Sequence, residues 1–413
     1  MDRAWREVSP VFAPDRDPQF ATEVSADTLR TALDLRLEAY HNEQGEPWKL
    51  PSVSQAFLAL RADHEWDHEY LTMEGYEPFL EASTDFLFGK DCVAVKERRI
   101  SSHQMLGGSG AIHTGSQILQ RYYRFPTDRP TIFLPNPTCP KHAIMLHTTG
   151  FQTESYCYYN FESHAVDFLN MMNDLHKLPS NSVILLHACA HKPTGMDPSQ
   201  GQWELLAKLF LDRGHFAFFV CDNQGITSGD PEKDAYSVRL FAEERIPMLV
   251  CQSFASSTGL YGERIGALHI LTHDADLSRR LHSQVNILLR REIGPCPKFS
   301  AHIAALLLSE KPIHRQWLED MHAIHKRIQT VRQTLYEALV HHYNIPGSWE
   351  HLLHGTGLFS LLGLTKKQCD RLAEEAHILV STNSCINVAG LNPGNLDYFV
   401  RWVDRVVREE RAP

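Results

Sequence analysis

The sequence predicts an α/β fold, in which helices cover both faces of a largely parallel sheet and a smaller α+β domain follows. Three observations lead there: a length of 413 residues, an alternation of apolar runs with amphipathic stretches in mid-chain, and one long amphipathic helix near residue 312. The length suits two domains rather than one small core. Because 43% of the residues are apolar and 10% are aromatic, the chain can bury enough surface to offset the entropy lost on folding.

Short β-branched and aromatic runs alternate with helical patterns in the middle of the chain. The helical patterns are Trp203–Leu211 and Ala235–Glu244. The runs that indicate buried strands are Thr131–Leu134, Ser182–His187, Phe216–Val220, Pro247–Cys251 and Ile265–Leu271. Such alternation is typical of parallel strands joined by helices.

From Pro312 onward, apolar residues recur every three or four positions. The stripe comprises Ile313, Trp317, Met321, Ile324, Ile328, Val331, Leu335 and Leu339. It predicts a helix of more than about six turns that begins at Pro312 and stops between Asn344 and Gly347. The smaller domain is completed by a strand at Leu358–Leu362, a helix from Thr365, a strand near His377–Val380 and a last helix from Pro393 to Glu409.

Charge and cysteine usage argue against several classes of protein. Acidic residues outnumber basic residues by 50 to 40 and the net charge is −10, whereas nucleic-acid binding needs a basic patch. No apolar run approaches the roughly 18 residues that cross a bilayer. Nine cysteines without a CxxC pair indicate reduced thiols rather than a disulfide framework. The segment MDRAWREVSPVF lacks signal and transit features, so a cytoplasmic location is expected.

Two local patterns could support chemistry but are weak when taken alone. Leu106–Ala111 is rich in glycine and precedes the amphipathic stretch Ile112–Tyr123. Backbone N–H groups at such a helix start can hold an anion, although a turn used only for packing fits equally well. His187, Cys189 and His191 could face one side and bind a metal. No fourth ligand stands at a zinc spacing, so packing is favoured.

Two longer motifs carry a specific resemblance. Residues 252–266 read QSFASSTGLYGERIG and are similar to the cofactor-lysine segment of aspartate aminotransferases, QSFSKNFGLYNERVG. Residues 187–195 read HACAHKPTG and are similar to that family's HACAHNPTG. Three further stretches agree in family order, namely His68–Leu71, Leu106–Ala111 and Asn395–Tyr398. The chain thus resembles the cytoplasmic type of these class I pyridoxal-phosphate-dependent aminotransferases from about residue 39 to 400.

The resemblance implies a fold-type I transferase with a mostly parallel seven-stranded sheet, and a homodimer with active sites at the interface. The implied division is an N-terminal arm with part of the small domain over residues 1–47, a large cofactor-binding domain over 48–311, and a linking helix with the rest of the small domain over 312–413. The implied reaction exchanges an amino group between L-aspartate and 2-oxoglutarate, giving oxaloacetate and L-glutamate. Pyridoxal 5'-phosphate is the implied cofactor.

The sequence keeps the residues to which the resemblance assigns the phosphate of the cofactor. They are Gly108, Ser109, Ser253, Arg264 and Tyr70, the last contributed by the partner subunit. All of them suit a dianion. Arg290 matches the arginine that receives the distal carboxylate of the substrate, although Gly294 and Pro295 depart from the family pattern.

The positions that handle the cofactor ring and the chemistry are changed. Ser256 replaces the lysine that forms the Schiff base, and a serine can neither form an imine nor move the proton. Val220 replaces the aspartate that keeps the pyridine nitrogen protonated. The other replacements are Asn223 and Lys192 beside the ring oxygen, Cys139 for the stacking tryptophan, Cys385 for the arginine that binds the α-carboxylate, and Arg36 and Glu38 for glycines. Lost transamination is therefore expected.

Two residues could compensate for these losses, and the sequence argues against both. Lys192 could form the imine from another direction, but a solvated or ion-paired lysine, with Asp222 as its candidate partner, is favoured. Asp222 would share a strand face with Val220 if the strand continues, about 6–7 Å too far along to serve the pyridine nitrogen.

Three classes of function stay open: a weak or altered cofactor enzyme, a non-catalytic protein that binds a phosphorylated or dicarboxylate ligand through Arg264 or Arg290, and a partner that forms mixed dimers with the active cytoplasmic aminotransferase through Tyr70.

Overall fold

The computed structural model describes residues 32–410, which form thirteen strands and the helices that pack on them. The strands are β1 (Leu33–Asp34), β2 (Ile100–Leu106), β3 (Thr131–Asn136), β4 (Gln152–Cys157), β5 (Tyr159–Asn160), β6 (Ala165–Val166), β7 (Val183–His187), β8 (Phe216–Cys221), β9 (Met248–Ser253), β10 (Ile265–Leu271), β11 (Phe359–Leu361), β12 (Ile378–Leu379) and β13 (Cys385–Asn387). The segment MDRAWREVSPVF and the outer ends of the predicted division, residues 1–31 and 411–413, lie outside the described residues.

Seven strands form the central sheet, in the order β2-β10-β9-β8-β7-β3-β4. Strand β10 runs antiparallel to both of its neighbours, and the other neighbouring pairs are parallel. The prediction of a mostly parallel seven-stranded sheet is confirmed. All five predicted strands are present, with ends that differ from the prediction by at most two residues.

Helices cover both faces of this sheet, and others pack in the smaller domain. Their bounds are Pro51–Ala62, Glu77–Phe88, Val93–Lys96, Gly107–Tyr122, Pro140–Thr148, Phe168–Lys177, Gln200–Arg213, Pro231–Asp234, Tyr236–Glu243, Ala255–Thr258, Ala275–Glu292, Lys298–Ser309, Lys311–Glu337, His351–His354, Lys366–Ala376 and Leu396–Glu410. On β8, Phe218 and Val220 pack into one apolar cluster, while Phe219 and Cys221 pack into another on the opposite face. Burial on both faces explains why the strand is apolar throughout.

The long helix Lys311–Glu337 carries the predicted stripe, and all eight apolar residues of that stripe are buried. A π-helical turn, Ala338–His342, extends it to the predicted stop at Asn344, which adopts a left-handed conformation. The indole Nε1 of Trp317 donates a hydrogen bond of 2.6 Å to the carbonyl of Ser257. The long helix thereby fixes the segment that contains Ser256.

The two ends of the described chain meet, because β1 pairs in parallel with β12. The backbone N–H of Asn387 donates to the carbonyl of Leu35 at 2.6 Å, and its side-chain amide donates to the carbonyls of Leu37 and Ala39 at 2.6 and 2.8 Å. These bonds fasten the segment that carries Glu38 beside β13. Among residues 32–410, no helix combines the length and apolar character that crossing a membrane requires.

Candidate active site

A cavity of about 390 Å³ opens at the carboxyl ends of β7, β8 and β9, which is where ligands bind in parallel α/β sheets. Its walls bring together most of the positions singled out in the sequence, namely Glu38, Gly108, Ser109, Cys139, Lys192, Val220, Asn223, Ser253, Ser256 and Arg264. A second cavity of about 120 Å³ shares Glu38, Cys139 and Lys192 with it and reaches Arg36 and Cys385. The two cavities therefore adjoin.

Gly108, Ser109, Ser253 and Arg264 line one end of the larger cavity, which we call the phosphate cup. The glycines stand at a helix start, as the sequence indicates, and they form the first turn of the helix Gly107–Tyr122. A Cβ on Gly266 would lie 2.7 Å from the carbonyl carbon of Gly107, so only glycine lets β10 approach this turn. The first N–H groups of a helix have no partner within the helix and face an incoming anion.

Arg264 supplies the positive charge of the phosphate cup. It follows the 3₁₀ turn Tyr261–Glu263 in a left-handed conformation with φ of 53°, which costs a non-glycine residue about 1–2 kcal/mol. Its guanidinium donates a long bond of 3.5 Å to the hydroxyl of Ser109. Across residues 32–410, no ion pair includes Arg264. A strained arginine without an acidic partner is well suited to bind an anion.

Asp222 also faces the phosphate cup. Its Oδ1 lies 2.9 Å from the position that a Cβ on Gly108 would take, and the Cβ of Ser253 lies 3.2 Å from that position. Burial raises the pKa of Asp222 to about 6, although Lys192 opposes the rise. The strand β8 ends at Cys221, so the alternation that would have placed Asp222 on the face of Val220 does not extend to it.

Lys192 is held by Glu38, so the candidate pairing with Asp222 is wrong. The ammonium of Lys192 donates to one carboxylate oxygen of Glu38, and Lys141 Nζ lies 3.3 Å from the other. Lys192 Nζ also lies 4.3 Å from the centre of the Phe359 ring, within cation–π range. Burial alone would lower the pKa of Lys192, but Cys139 and Glu38 outweigh it and the pKa lies above its usual range.

The pKa of Glu38 shifts in the complementary direction. Burial would raise it, but Lys192 and Lys141 outweigh burial and hold the pKa below its usual range. Lys192 therefore stays protonated at neutral pH, and a protonated amine is not a nucleophile. Sequence reasoning recorded Glu38 only as a replaced glycine. One feature of the sequence could have indicated the pair: Glu38 and Lys192 are an acidic and a basic residue at positions where the family has neutral residues.

Ser256 is buried and belongs to the short helix Ala255–Thr258. Beside it, burial raises the pKa of Tyr261 to about 12, which hydrogen bonds from the Tyr40 backbone and the Ser256 side chain partly offset. The bond from the Tyr40 N–H to the phenol oxygen measures 2.9 Å. A neutral phenol and a hydroxyl thus meet at this position.

Three buried histidines stand at the cavity: His142 and His187 on its wall, and His191 beside His187. Burial lowers the pKa of His142 to about 4, and it holds the pKa values of His187 and His191 well below their usual range. His191 Nδ1 lies 2.8 Å from the Thr194 hydroxyl. Within the described ranges, no group of three or more His, Cys, Asp or Glu side chains is arranged to hold a metal ion. The interpretation as packing residues is therefore favoured.

All three rings nevertheless carry a buried nitrogen that has no partner among the described residues, namely Nδ1 of His142, Nε2 of His187 and Nε2 of His191. His187 on β7 is the register partner of Val220 on β8. A carboxylate at position 220 would lie beside this ring, whereas valine offers no acceptor. Buried polar atoms are normally satisfied, so the unpaired nitrogens mark a place that a polar group would suit.

Tyr70 and Arg290 do not line either cavity. Tyr70 is 88% exposed, and Arg290 is exposed in the last turn of the helix Ala275–Glu292. Neither side chain therefore contributes to the two cavities of its own chain. Their roles in binding remain predictions.

Comparison with known proteins places this geometry in a family. Residues 30–403 match the family model of aminotransferase class I and II. The mitochondrial aspartate aminotransferase of Dictyostelium discoideum is 35% identical over 383 residues, which cover 93% of this chain and 88% of that protein. The cytoplasmic aspartate aminotransferase of Saccharomyces cerevisiae is 35% identical over 389 residues, which cover 92% of each. The chain belongs to the aspartate aminotransferase family.

Solved structures share the same architecture. The aspartate aminotransferase from the cytoplasm of Saccharomyces cerevisiae superposes with a TM-score of 0.88 at 34% identity, over 92% of each chain. An aromatic-amino-acid aminotransferase from Burkholderia pseudomallei, covalently bound to pyridoxal phosphate, has a TM-score of 0.88 at 29% identity, over 98% of this chain and 100% of that one. The fold is that of pyridoxal-phosphate-dependent aminotransferases, and pyridoxal phosphate is the cofactor of the family.

The cavity of this chain fits only one end of that cofactor. The phosphate cup offers N–H groups, hydroxyls and an arginine without an acidic partner. The ring end has no amine at position 256 and no carboxylate at position 220, and the nitrogens of His142 and His187 remain unpaired there. Position 256 therefore cannot hold the cofactor covalently.

Proposed function

We propose that this chain is an aspartate-aminotransferase-like protein that has lost transamination and binds a small phosphorylated ligand, such as pyridoxal phosphate, without a covalent bond. The contrast between two cations supports this proposal. Arg264 faces the phosphate cup without an acidic partner, while Lys192 is bound by Glu38.

The nominal reaction, in which L-aspartate and 2-oxoglutarate give oxaloacetate and L-glutamate, lacks its essential groups. A covalent nucleophile and proton carrier at position 256 is missing, and the protonated Lys192 does not replace it. Losing either role lowers the rate by about 10²–10⁴-fold. Activity far below that of the family's working enzymes is therefore the expected state.

The substrate end of the cavity also disfavours a dicarboxylate. Burial raises the pKa of Cys385 to about 12, so the thiol is neutral and its Sγ contacts the carbonyl of Pro193 at 3.8 Å. A substrate carboxylate would have to displace Glu38 from Lys192 before meeting a cation here. Of the two arginines considered from the sequence, Arg264 is therefore the better anchor within one subunit.

Titration of the purified protein with pyridoxal phosphate tests this proposal. We expect reversible binding that is lost on gel filtration and no adduct at Lys192 after borohydride treatment. Arg264→Gln should weaken binding by about 10- to 100-fold, since a charge-assisted hydrogen bond contributes about 1.5–3 kcal/mol. Arg129→Gln, on an exposed loop, is the matched control and should bind as the unchanged chain does. Cofactor that survives gel filtration, or robust aspartate transamination, would refute the proposal.

A second role is favoured by the placement of Tyr70 and Arg290, which are exposed and lie outside their own cavity. We propose that the chain forms a homodimer, and that it can also pair with an active cytoplasmic aminotransferase and present Tyr70 to its site. Relatives from Caenorhabditis elegans and Saccharomyces cerevisiae are named cytoplasmic, which supports the same compartment for this chain.

Co-expression with the active enzyme, followed by tandem affinity purification, tests this role. Mixed dimers should form, and Tyr70→Phe in this chain should weaken cofactor retention by the active partner without dissociating the dimer. Recovery of homodimers alone would rule out the mixed-dimer role.

A further inference from the structure

The phosphate cup contains a carboxylate, which would repel a bound anion when it is ionised. Asp222 Oδ1 approaches the place of a Gly108 Cβ to 2.9 Å, next to Ser253. Across residues 32–410, no hydrogen bond or ion pair joins the Asp222 side chain to another residue. A partly buried carboxylate without a donor is costly, and here it lines the cavity where phosphate oxygens would bind.

We propose that Asp222 selects the protonation state of the anion that the phosphate cup accepts, and this inference rests on the proposed function. One proton must be shared between Asp222 and the bound anion. A protonated Asp222 donates it to a dianion, or a singly protonated phosphate monoester donates it to the carboxylate. Two unprotonated anions would repel each other at hydrogen-bond distance. The ligand class is therefore a phosphate monoester that can carry a proton, bound more weakly as the pH rises.

The electrostatic surroundings place this switch near neutral pH. Burial raises the pKa of Asp222 to about 6, so the acid is half ionised close to the pH where phosphate monoesters lose their last proton. Charged or titratable groups that influence Asp222 come from several elements, and they are Lys192, Glu38, Arg264, Lys141 and Cys251. Of these, Cys251 stays neutral because burial raises the pKa of its thiol well above the usual range.

The histidines of the cavity contribute little between pH 5 and pH 8. The pKa of His142 is about 4, and those of His187 and His191 lie well below the usual range, so all three stay neutral. His41 also lines the cavity, and burial lowers its pKa. Because His41 is unchanged in an Asp222 variant, the difference between the variant and the unchanged chain isolates Asp222.

Sulfate is a suitable probe because it stays a dianion over this range and cannot supply the proton itself. Calorimetric titration of the unchanged chain should show affinity falling about tenfold per pH unit above pH 6, since only the protonated fraction is competent to bind. Asp222→Asn should bind sulfate with nearly constant affinity from pH 5 to pH 8, and about 100-fold more tightly than the unchanged chain at pH 8. Asp128→Asn, the same change on an exposed loop, should behave as the unchanged chain does.

Each other outcome of this titration has a distinct meaning. Equal sulfate affinity at pH 6 and pH 8 in the unchanged chain would overturn the role of Asp222 and leave the proposed function standing. No sulfate or pyridoxal phosphate binding by the unchanged chain or by Asp222→Asn at any pH would overturn both. Recovery of sulfate binding at pH 8 on adding magnesium, in the unchanged chain only, would make Asp222 a cation ligand and overturn the proton-sharing role.

Discussion

The two ends of the cavity differ in what builds them. The phosphate cup is set by backbone features: the glycine contact between β10 and the first turn of the helix Gly107–Tyr122, and the left-handed turn at Arg264. The resemblance assigns functional side chains to the other end, and in this chain an internal pair between Glu38 and Lys192 fills it. Backbone features also hold the sheet together, so losing them would destabilise the fold. Ser256, Val220 and Cys385 could change without that penalty.

Restoring the lost side chains gives the largest expected effect. Ser256→Lys alone should give little aspartate transamination, because positions 220 and 385 still lack the aspartate and the arginine that the resemblance assigns to them. Adding Val220→Asp and Cys385→Arg should raise the rate by about 10²-fold or more over the single variant, in line with the contribution of a positioned proton carrier. Coupled assay of oxaloacetate formation measures the difference.

The control for this series is Ser256→Ala in the same background, which should stay inactive. If Ser256→Lys alone recovered most of the activity of the triple variant, the missing lysine would by itself account for the lost activity. The replacements at positions 220 and 385 would then be neutral.

The sequence predicted the strands and helices whose buried side chains are apolar. Apolar periodicity identified β8, which is buried at every position, and the long helix, which buries one continuous apolar stripe. It missed β2 and β4, which lie at the two edges of the sheet. These strands read ISSHQML and QTESYC, and β2 buries its polar side chains by bonding them, as Ser101 does with His103 at 2.9 Å. Periodicity cannot detect a strand whose buried side chains are polar.

The site was predictable where it followed local motifs and not where it depended on distant pairs. Resemblance located Gly108, Ser253 and Arg264, which the structure brings to one cup. The ion pair between Glu38 and Lys192 joins residues 154 positions apart, so no local sequence pattern predicts it. The face on which the Asp222 side chain lies depends on where β8 ends. The ends of strands are harder to predict from sequence than the strands themselves.

A stability measurement on Asp222→Asn examines the carboxylate in the phosphate cup. Its pKa is raised from 3.8 to about 6 by burial, so the native state disfavours ionisation. The destabilisation grows as the pH rises from about 4 to about 6 and is complete above that range. Asp222→Asn should therefore gain up to about 3 kcal/mol at pH 7.5 and almost nothing at pH 4.

Urea unfolding at the two pH values, with Asp128→Asn as control, measures this gain. A gain of the same size at both pH values would show that packing rather than ionisation separates the variant from the unchanged chain.

Substituting Gly266→Ala should damage the phosphate cup selectively. The new methyl group would meet the backbone of Gly107 at 2.7 Å, and such crowding costs about 1–3 kcal/mol. Binding of pyridoxal phosphate, followed by absorbance, should weaken along with the lowered stability. Gly262→Ala is the matched control, because a Cβ at Gly262 meets nothing within 4 Å. Unchanged ligand binding in Gly266→Ala would show that the contact between Gly266 and Gly107 is not needed for the phosphate cup to bind its ligand.

The smallest expected effect tests the filled end of the cavity. Because the Glu38 side chain is 36% exposed, Glu38→Gln should cost only about 1 kcal/mol of unfolding free energy near neutral pH. The pKa of Glu38 is lowered in the native state, so its stabilising contribution is lost as the pH falls and the carboxylate becomes protonated. The difference between Glu38→Gln and the unchanged chain should therefore shrink in acid.

The same variant changes the chemistry of Lys192 more than it changes stability. Without Glu38, one of the groups that raise the lysine pKa is lost and the pKa falls, so treatment with pyridoxal phosphate and borohydride should modify Lys192 in Glu38→Gln and leave it unmodified in the unchanged chain. Peptide mapping reads the adduct, and Glu46→Gln on the same exposed segment controls for charge. Equal modification of Lys192 with and without Glu38 would mean that the ion pair does not hold the amine, and the two ends of the cavity would then be equally open to ligand.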